Sequence, residues 1–302
     1  MTGVKTPYTI LYVVGVGHSG STLLNLLLNG HSEAVGLCEL HFLERYLQLP
    51  ADDPLNPLRY SMWQDAKKCW ESKTGVSFSD LQISTPSRRQ LAKWRDVDLA
   101  TYRMHNSALF DCISEVSRAK LLVDTSKSLR RLSLLSKCDL PLKIVHLVRD
   151  GRGVVNSYRR KYGRFRVGLD RWFLRTLLVP LARQKSENAE WLSLKYEDLA
   201  DSPDLTLQRL CTFAGLDYQS SMLRYWESED VSIGGNRMRG KKRPVKLDEA
   251  WFQELSFLHR AGFALIGGWL NMAYGYPLIG RYTPLSRRTR GSSGSAQKMS
   301  DV

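Results

Sequence analysis

Residues 14–24 read VGVGHSGSTLL, and the apolar run from Tyr8 to Gly15 leads straight into them. A hydrophobic run closed by glycines, followed by Ser-Thr and the helix-like stretch LLNLLLNG, predicts a strand, a tight loop and a helix N-terminus. Loop amides at such a terminus cradle an anion, so a phosphate-type site is expected here.

The same letters satisfy two patterns. Gly15, Gly17 and Gly20 form G-x-G-x-x-G, and Glu39 lies 19 residues beyond Gly20, where a dinucleotide enzyme places its ribose-binding acid. Gly15 to Thr22 also form a G-x-x-x-x-G-x-[ST] phosphate loop, with Ser21 where a nucleotide kinase carries lysine. A glycine pattern alone does not choose between an NAD enzyme and a P-loop kinase.

A second stretch bears on the choice. Residues 143–160, KIVHLVRDGRGVVNSYRR, read as an apolar strand delivering Arg149 at its C-terminal end, then Gly-Arg-Gly, then a helix carrying Ser157. Ligands meet strand ends in an open α/β sheet, so Arg149 arrives near the first loop with a planar donor fork suited to phosphate. Two anion sites imply a nucleotide with two separate anionic groups, and an NAD reading leaves Arg149 and Ser157 without a task.

These segments resemble the sulfotransferases that use 3′-phosphoadenosine 5′-phosphosulfate (PAPS). His18, Ser19, Gly20, Ser21 and Thr22 are similar to the family's 5′-phosphosulfate loop, and Arg149 to Ser157 to its 3′-phosphate motif, with the same interval of eight. The segment KYEDL, residues 195–199, resembles the strand-to-helix segment that follows and adds Tyr196 to the nucleotide site. GGNRMR, residues 234–239, resembles the late basic loop that closes over the nucleotide, bringing Arg237 and Arg239. Two features depart from the cytosolic branch: His18 stands where many members have lysine, and no tryptophan lies near Leu24 to stack on adenine. The chain is closer to the carbohydrate, tyrosyl-protein and bacterial small-molecule branches, in which a glutamate is often the base.

The resemblance implies sulfuryl transfer from PAPS to a hydroxyl or amine, without metal. Glu39, just after the second candidate strand, resembles the glutamate base; its structural alternative is an acid at a helix N-terminus. His41 is the alternative base. Lys127 follows the third strand in VDTSKS and would neutralise charge on the leaving group, a task for which His18 competes, although residues 124–128 would equally serve as a helix cap.

Candidate strands at residues 9–14, 34–38, 120–123, 143–148 and 192–196 alternate with helical stretches, and their short apolar runs suit strands covered on both faces. The expected fold is a single α/β domain over residues 1–285, with a central, mainly parallel sheet, helices on both faces and a P-loop-like nucleotide site. Residues from about 50 to 104 read as an insertion shaping the acceptor side, with Trp63, Trp70 and Trp94, joined by Trp172 and Phe173, as acceptor-facing aromatics. The acceptor reads as a small molecule, a carbohydrate or a lipid-linked compound. Residues 286–302 read as a disordered basic tail.

The formal charge of +14 suits steering of an anionic nucleotide, and no nucleic-acid-binding module accompanies it. The cysteines are odd in number and lack C-x-x-C pairs, so each reads as a small buried hydrophobe. No signal peptide or membrane anchor is seen at the N-terminus, which points to the cytoplasm. Residues 261–280, AGFALIGGWLNMAYGYPLIG, carry no charge; five glycines and a proline favour a buried C-terminal helix over a membrane span, with a peripheral membrane contact as the alternative.

Overall fold

The computed structural model describes residues 7–85, 98–234, 242 and 244–287. Five strands, β1 (Thr9–Gly15), β2 (Ala34–Cys38), β3 (Leu121–Lys127), β4 (Leu142–Val148) and β5 (Glu190–Lys195), form one sheet in the order β2-β3-β1-β4-β5. All four pairings are parallel. The glycine-bounded run at the N-terminus is thus the central strand, and order reverses on either side of it, where open parallel sheets bind ligand.

The inner residues of β1 alternate between two cores. Ile10, Tyr12 and Val14 pack with α3 (Ser61–Thr74), α4 (Leu99–Ser117) and α5 (Leu129–Leu135). Leu11 and Val13 pack with α1 (Ser21–Asn29), α8 (Tyr196–Asp201) and α9 (Pro203–Ala214). Burial on both faces explains the nearly continuous apolar sequence of β1. The remaining helices are the short α2 (Leu43–Leu47), then α6 (Gly151–Tyr162), α7 (Phe165–Gln184), α10 (Trp251–Glu254) and α11 (Phe257–Ala273).

Several expectations change. β3 continues to Lys127, beyond the expected end at Val123, because its polar half is buried and bonded: Arg131 Nε donates to Asp124 Oδ2 at 2.9 Å with both side chains fully buried, and Ser126 N donates to Asp124 Oδ1. β5 starts two residues early and gives Tyr196 to α8. The segment read as an insertion is core in part. Trp63 and Trp70 are fully buried, Trp63 Nε1 donating to the Val231 carbonyl and Trp70 Nε1 to that of His105, and Trp172 is buried against Phe263; none of the three faces an acceptor. Trp94 lies outside the described residues.

Cys69 on α3 and Cys112 on α4 form a disulfide, with Cα atoms 5.7 Å apart. Two helices far apart in sequence meet there, so no local cysteine spacing signals it; Cys38, Cys138 and Cys211 are buried thiols, as expected. At the C-terminal end, Ser286 and Arg287 bond Asp201, while residues 288–302 lie outside the described residues. The uncharged stretch forms most of α11, which is buried on one side only. Among the described residues no helix is long and apolar enough to cross a membrane.

Candidate nucleotide and catalytic site

The loop between β1 and α1 turns on left-handed residues, His18 at φ 66° and Gly20 at φ 91°. Gly20 has a second constraint: a Cβ there would sit 2.4 Å from the ring of Tyr196, so only glycine lets that ring close over the loop. No side chain caps α1 and no acid occupies its first turn. Its first amides, which a helix cannot satisfy internally, are therefore arranged for an anion, with the buried Ser19, Ser21 and Thr22 hydroxyls beside them.

β4 delivers Arg149 to this loop. One guanidinium nitrogen donates to the His18 carbonyl at 2.8 Å, and the other to the carbonyl and Oδ2 of Asp248 at 3.0 and 3.1 Å. The guanidinium carbon lies 4.2 Å from the centre of the Tyr196 ring, whose hydroxyl accepts from the Asp248 amide. Arg160 Nη2 reaches the same Asp248 oxygen at 2.7 Å. Gly153 packs against Arg149, and Ser157 follows one turn later on the same face of α6. Arg149 and Arg160 thus converge on one carboxylate oxygen of Asp248, an arrangement that suits an anion.

The base of α6 is fixed from three elements. Asp150 caps Arg152, Asn271 Oδ1 on α11 accepts from Gly151 N, and Glu197 Oε1 accepts from Asp150 N. Burial pushes the Glu197 carboxyl up to about 7, while Tyr276 donates to its other oxygen at 2.7 Å. Arg149 therefore leaves a rigid turn.

On the other side of the loop, β2 and β3 bring Glu39 and Lys127 together. Lys127 Nζ donates to Glu39 Oε1 and to the Thr125 carbonyl, both at 2.8 Å. Lys127 holds φ 59°, turning its side chain away from the regular strand direction, and its carbonyl accepts from Arg175 on α7. The capping role considered for this segment falls to Ser128, which caps α5 through the Arg131 amide. Glu39 starts a short 3-10 turn, Leu40–Phe42, but makes no side-chain cap there; its carboxylate goes to Lys127.

Both candidate histidines are held at about 4, below the usual 6.5, and burial is the main cause for each. His18 also feels the positive charges of Lys161, Arg149, Lys127 and Arg160, and its ring meets Tyr158 and Tyr162 edge-on at 4.5 and 6.0 Å. It is neutral at pH 7, so it offers a hydrogen bond rather than a fixed positive charge. The His41 ring lies against Phe42, with Nδ1 buried and unbonded among the described residues.

The described site residues predicted from sequence, His18 to Thr22, Glu39, His41, Lys127, Arg149, Ser157 and Tyr196, lie around the C-terminal strand ends. Arg237 and Arg239 lie outside the described residues. Asp248, Arg160 and Tyr158 were missed. Arg160 was readable, being three residues after Ser157 on one helix; Asp248 belongs to no pattern. Among the described residues, no three His, Cys, Asp or Glu side chains come together as a metal-ligand set.

A parallel sheet with an uncapped helix N-terminus after its central strand and an arginine at the end of the neighbouring strand is an arrangement suited to an anionic ligand. The family comparison makes this specific: the sulfotransferase family model matches residues 11–220, more than half of the chain, and the protein belongs to that family. Among solved structures, the sulfotransferase domain of the Synechococcus PCC 7002 olefin synthase superposes with a TM-score of 0.61 at 20% identity, covering 91% of this chain and 97% of that domain. The sulfotransferase domain from the curacin biosynthetic pathway gives 0.51 at 20% identity, covering 96% and 98%. These likenesses concern the fold. No curated relative matches the chain.

Proposed function

We propose that the protein moves a sulfuryl group from PAPS to a hydroxyl or amine of a small-molecule, carbohydrate or lipid-linked acceptor. The observation that carries this reading is the convergence on one loop: the His18 carbonyl is bonded by Arg149, while the His18 ring feels the charges of both Arg149 and Lys127. An anion-holding arginine and the Glu39–Lys127 pair thus flank the same turn.

In this reading the α1 amides and the Ser19, Ser21 and Thr22 hydroxyls hold the phosphosulfate, and Arg149 with Ser157 holds the 3′-phosphate. Arg160 joins them, and Asp248 is displaced. The donor supplies the sulfuryl group: the acceptor oxygen or nitrogen bonds to sulfur as the S–O bond to the 5′-phosphate breaks, adenosine 3′,5′-bisphosphate leaves, and the acceptor proton passes to Glu39. Acceptor entry separates the Glu39–Lys127 contact, leaving Glu39 to take the acceptor proton and Lys127 to neutralise charge developing on the leaving bisphosphate. Neutral His18 hydrogen-bonds the transferred group. The reading needs no metal and is compatible with the cytoplasm, where a reducing environment would open the Cys69–Cys112 bond.

The test is mass spectrometry of acceptor panels incubated with PAPS and enzyme in the presence of chelator. A gain of one sulfuryl group on one acceptor class, absent with Glu39→Gln, supports the reading. Transfer of a phosphoryl group from ATP, or hydride transfer with NAD, replaces it.

A further inference from the structure

The solvent side of α11 departs from what a surface helix requires. Its well-exposed positions include Leu258, Leu265, Ile266, Trp269 and Met272, which recur at helical spacing along one face, and no exposed position of α11 is polar. Leu265 is 84% exposed and Trp269 52%. A helix at a water interface ordinarily carries charge there.

The face continues onto α7. The Trp269 ring meets Phe173 with centroids 5.9 Å apart, and Leu174, Leu177, Leu178 and Leu181 follow on α7, all exposed. Beside α11, Leu278 packs against Gly268, and Ile279 next to it is 87% exposed. Contiguous apolar surface over two helices marks an interaction site.

Charge selects the occupant. From Leu255 to Ser300 the sequence contains no acidic residue, and Arg260 falls within α11, while Arg281 and Arg287 pair with Glu249 and Asp201 away from this face. α7 carries Arg166, Arg171, Arg175 and Arg183 against one acid, Asp170. A second copy docking on this face would bring the exposed arginines of the two α7 helices together, which like-charge repulsion opposes. An anionic lipid surface complements both features, accepting the apolar side chains below the headgroups and attracting the basic rim. Trp269, with an apolar body and a polar N–H, suits the boundary between them.

We infer that the α7–α11 face docks in the plane of an anionic membrane, as a peripheral contact without a spanning segment. The inference is independent of the PAPS reading, since its readout needs neither nucleotide nor acceptor.

The experiment is flotation of the full-length protein with vesicles of equal parts phosphatidylcholine and phosphatidylserine, against phosphatidylcholine alone. Binding to the mixed vesicles is expected to be at least about tenfold stronger and to weaken with added salt. The double substitution Leu265→Glu with Trp269→Glu removes apolar area from exposed positions and is expected to lower binding about tenfold or more with an unchanged melting temperature. Leu205→Glu is the control: Leu205 is exposed on α9, which packs on the opposite face of the sheet from α7, and its substitution leaves binding intact. No flotation of the wild type, equal binding to both vesicles, or binding indifferent to the double substitution overturns the inference. So does a dimer in light scattering that the double substitution splits while vesicles go unbound, which assigns the face to a second copy.

Discussion

Lys127 Nζ lies 2.8 Å from Glu39 Oε1, across the gap between the ends of β2 and β3, and each residue reaches that position through an unusual local conformation. Lys127 turns at positive φ, and Cys38, just before Glu39, does so at φ 56°. Left-handed backbone at non-glycine positions costs energy that surrounding structure must offset. Here the offset includes the buried Asp124–Arg131 pair beneath β3 and the backbone bond between Glu39 N and the Ile233 carbonyl.

Glu39→Gln keeps the size of the side chain and one hydrogen-bond acceptor while removing the proton-accepting site. Turnover is expected to fall about 10²–10⁴-fold with nucleotide affinity unchanged, measured by single-turnover kinetics beside calorimetry. His41→Ala is expected to do much less. A Glu39→Gln enzyme retaining more than about a tenth of wild-type turnover while His41→Ala abolishes it transfers the base role to His41.

Asp248 Oδ2 accepts from both Arg149 and Arg160, so under the proposed function its carboxylate competes with the 3′-phosphate for these two cations. Asp248→Asn is expected to tighten binding of adenosine 3′,5′-bisphosphate several-fold and to leave adenosine 5′-phosphosulfate, which has no 3′-phosphate, nearly unaffected. Weaker bisphosphate binding in this variant would show that Asp248 positions Arg149 rather than competing with the ligand.

Acid sensitivity follows from one buried and two half-buried histidines. His18, His41 and His146 are held at about 4, each chiefly by burial, against 6.5 in an unfolded chain. Between those values the unfolded state takes up protons that the folded state refuses, so their contribution is present above about pH 6.5 and is lost as pH falls through about 4. Glu197 acts oppositely: its carboxyl, raised to about 7, stabilises the fold at low pH and ceases to do so as pH rises through that value. Three groups outweigh one, so the melting temperature is expected to fall from pH 6.5 to 4.5. His146→Phe, at a buried site against Tyr274, should flatten that slope; an unchanged slope contradicts the assignment.

The Cys69–Cys112 bond closes a loop of 43 residues. Where it is oxidised, reduction is expected to lower stability by about 2–4 kcal/mol, read by urea unfolding with and without reductant. Counting free thiols in protein from its native compartment is the accompanying check: five support the cytoplasmic reading, and three place the chain in an oxidising environment.

The central strand, its loop and Arg149 were legible because each is encoded locally, by an apolar run ending in glycine or arginine at a strand end. The polar half of β3 was not. Asp124 to Lys127 look like a loop in isolation, and it is Arg131, itself bonded to Tyr102, on Asp124 and Glu39 on Lys127, brought in by other elements, that make burial of that sequence tolerable. Asp248 was illegible for the same reason, since its meaning comes from Arg149 and Arg160, which precede it by 99 and 88 residues. Trp63 and Trp70 misled because their composition suits a binding wall as well as a core. α11 was legible as a helix, but its uncharged sequence did not show which side faces water.

The most direct measurement of the central claim is calorimetric titration of the wild-type protein and Arg149→Ala with PAPS, adenosine 3′,5′-bisphosphate and adenosine 5′-phosphosulfate, with chelator present. The account predicts that the wild type binds both 3′-phosphorylated nucleotides without metal. Arg149→Ala, folded by circular dichroism, should lose about 10–150-fold for those two and little for adenosine 5′-phosphosulfate. Equal losses for all three nucleotides, or wild-type binding that requires Mg²⁺ or prefers ATP or NAD, would contradict it.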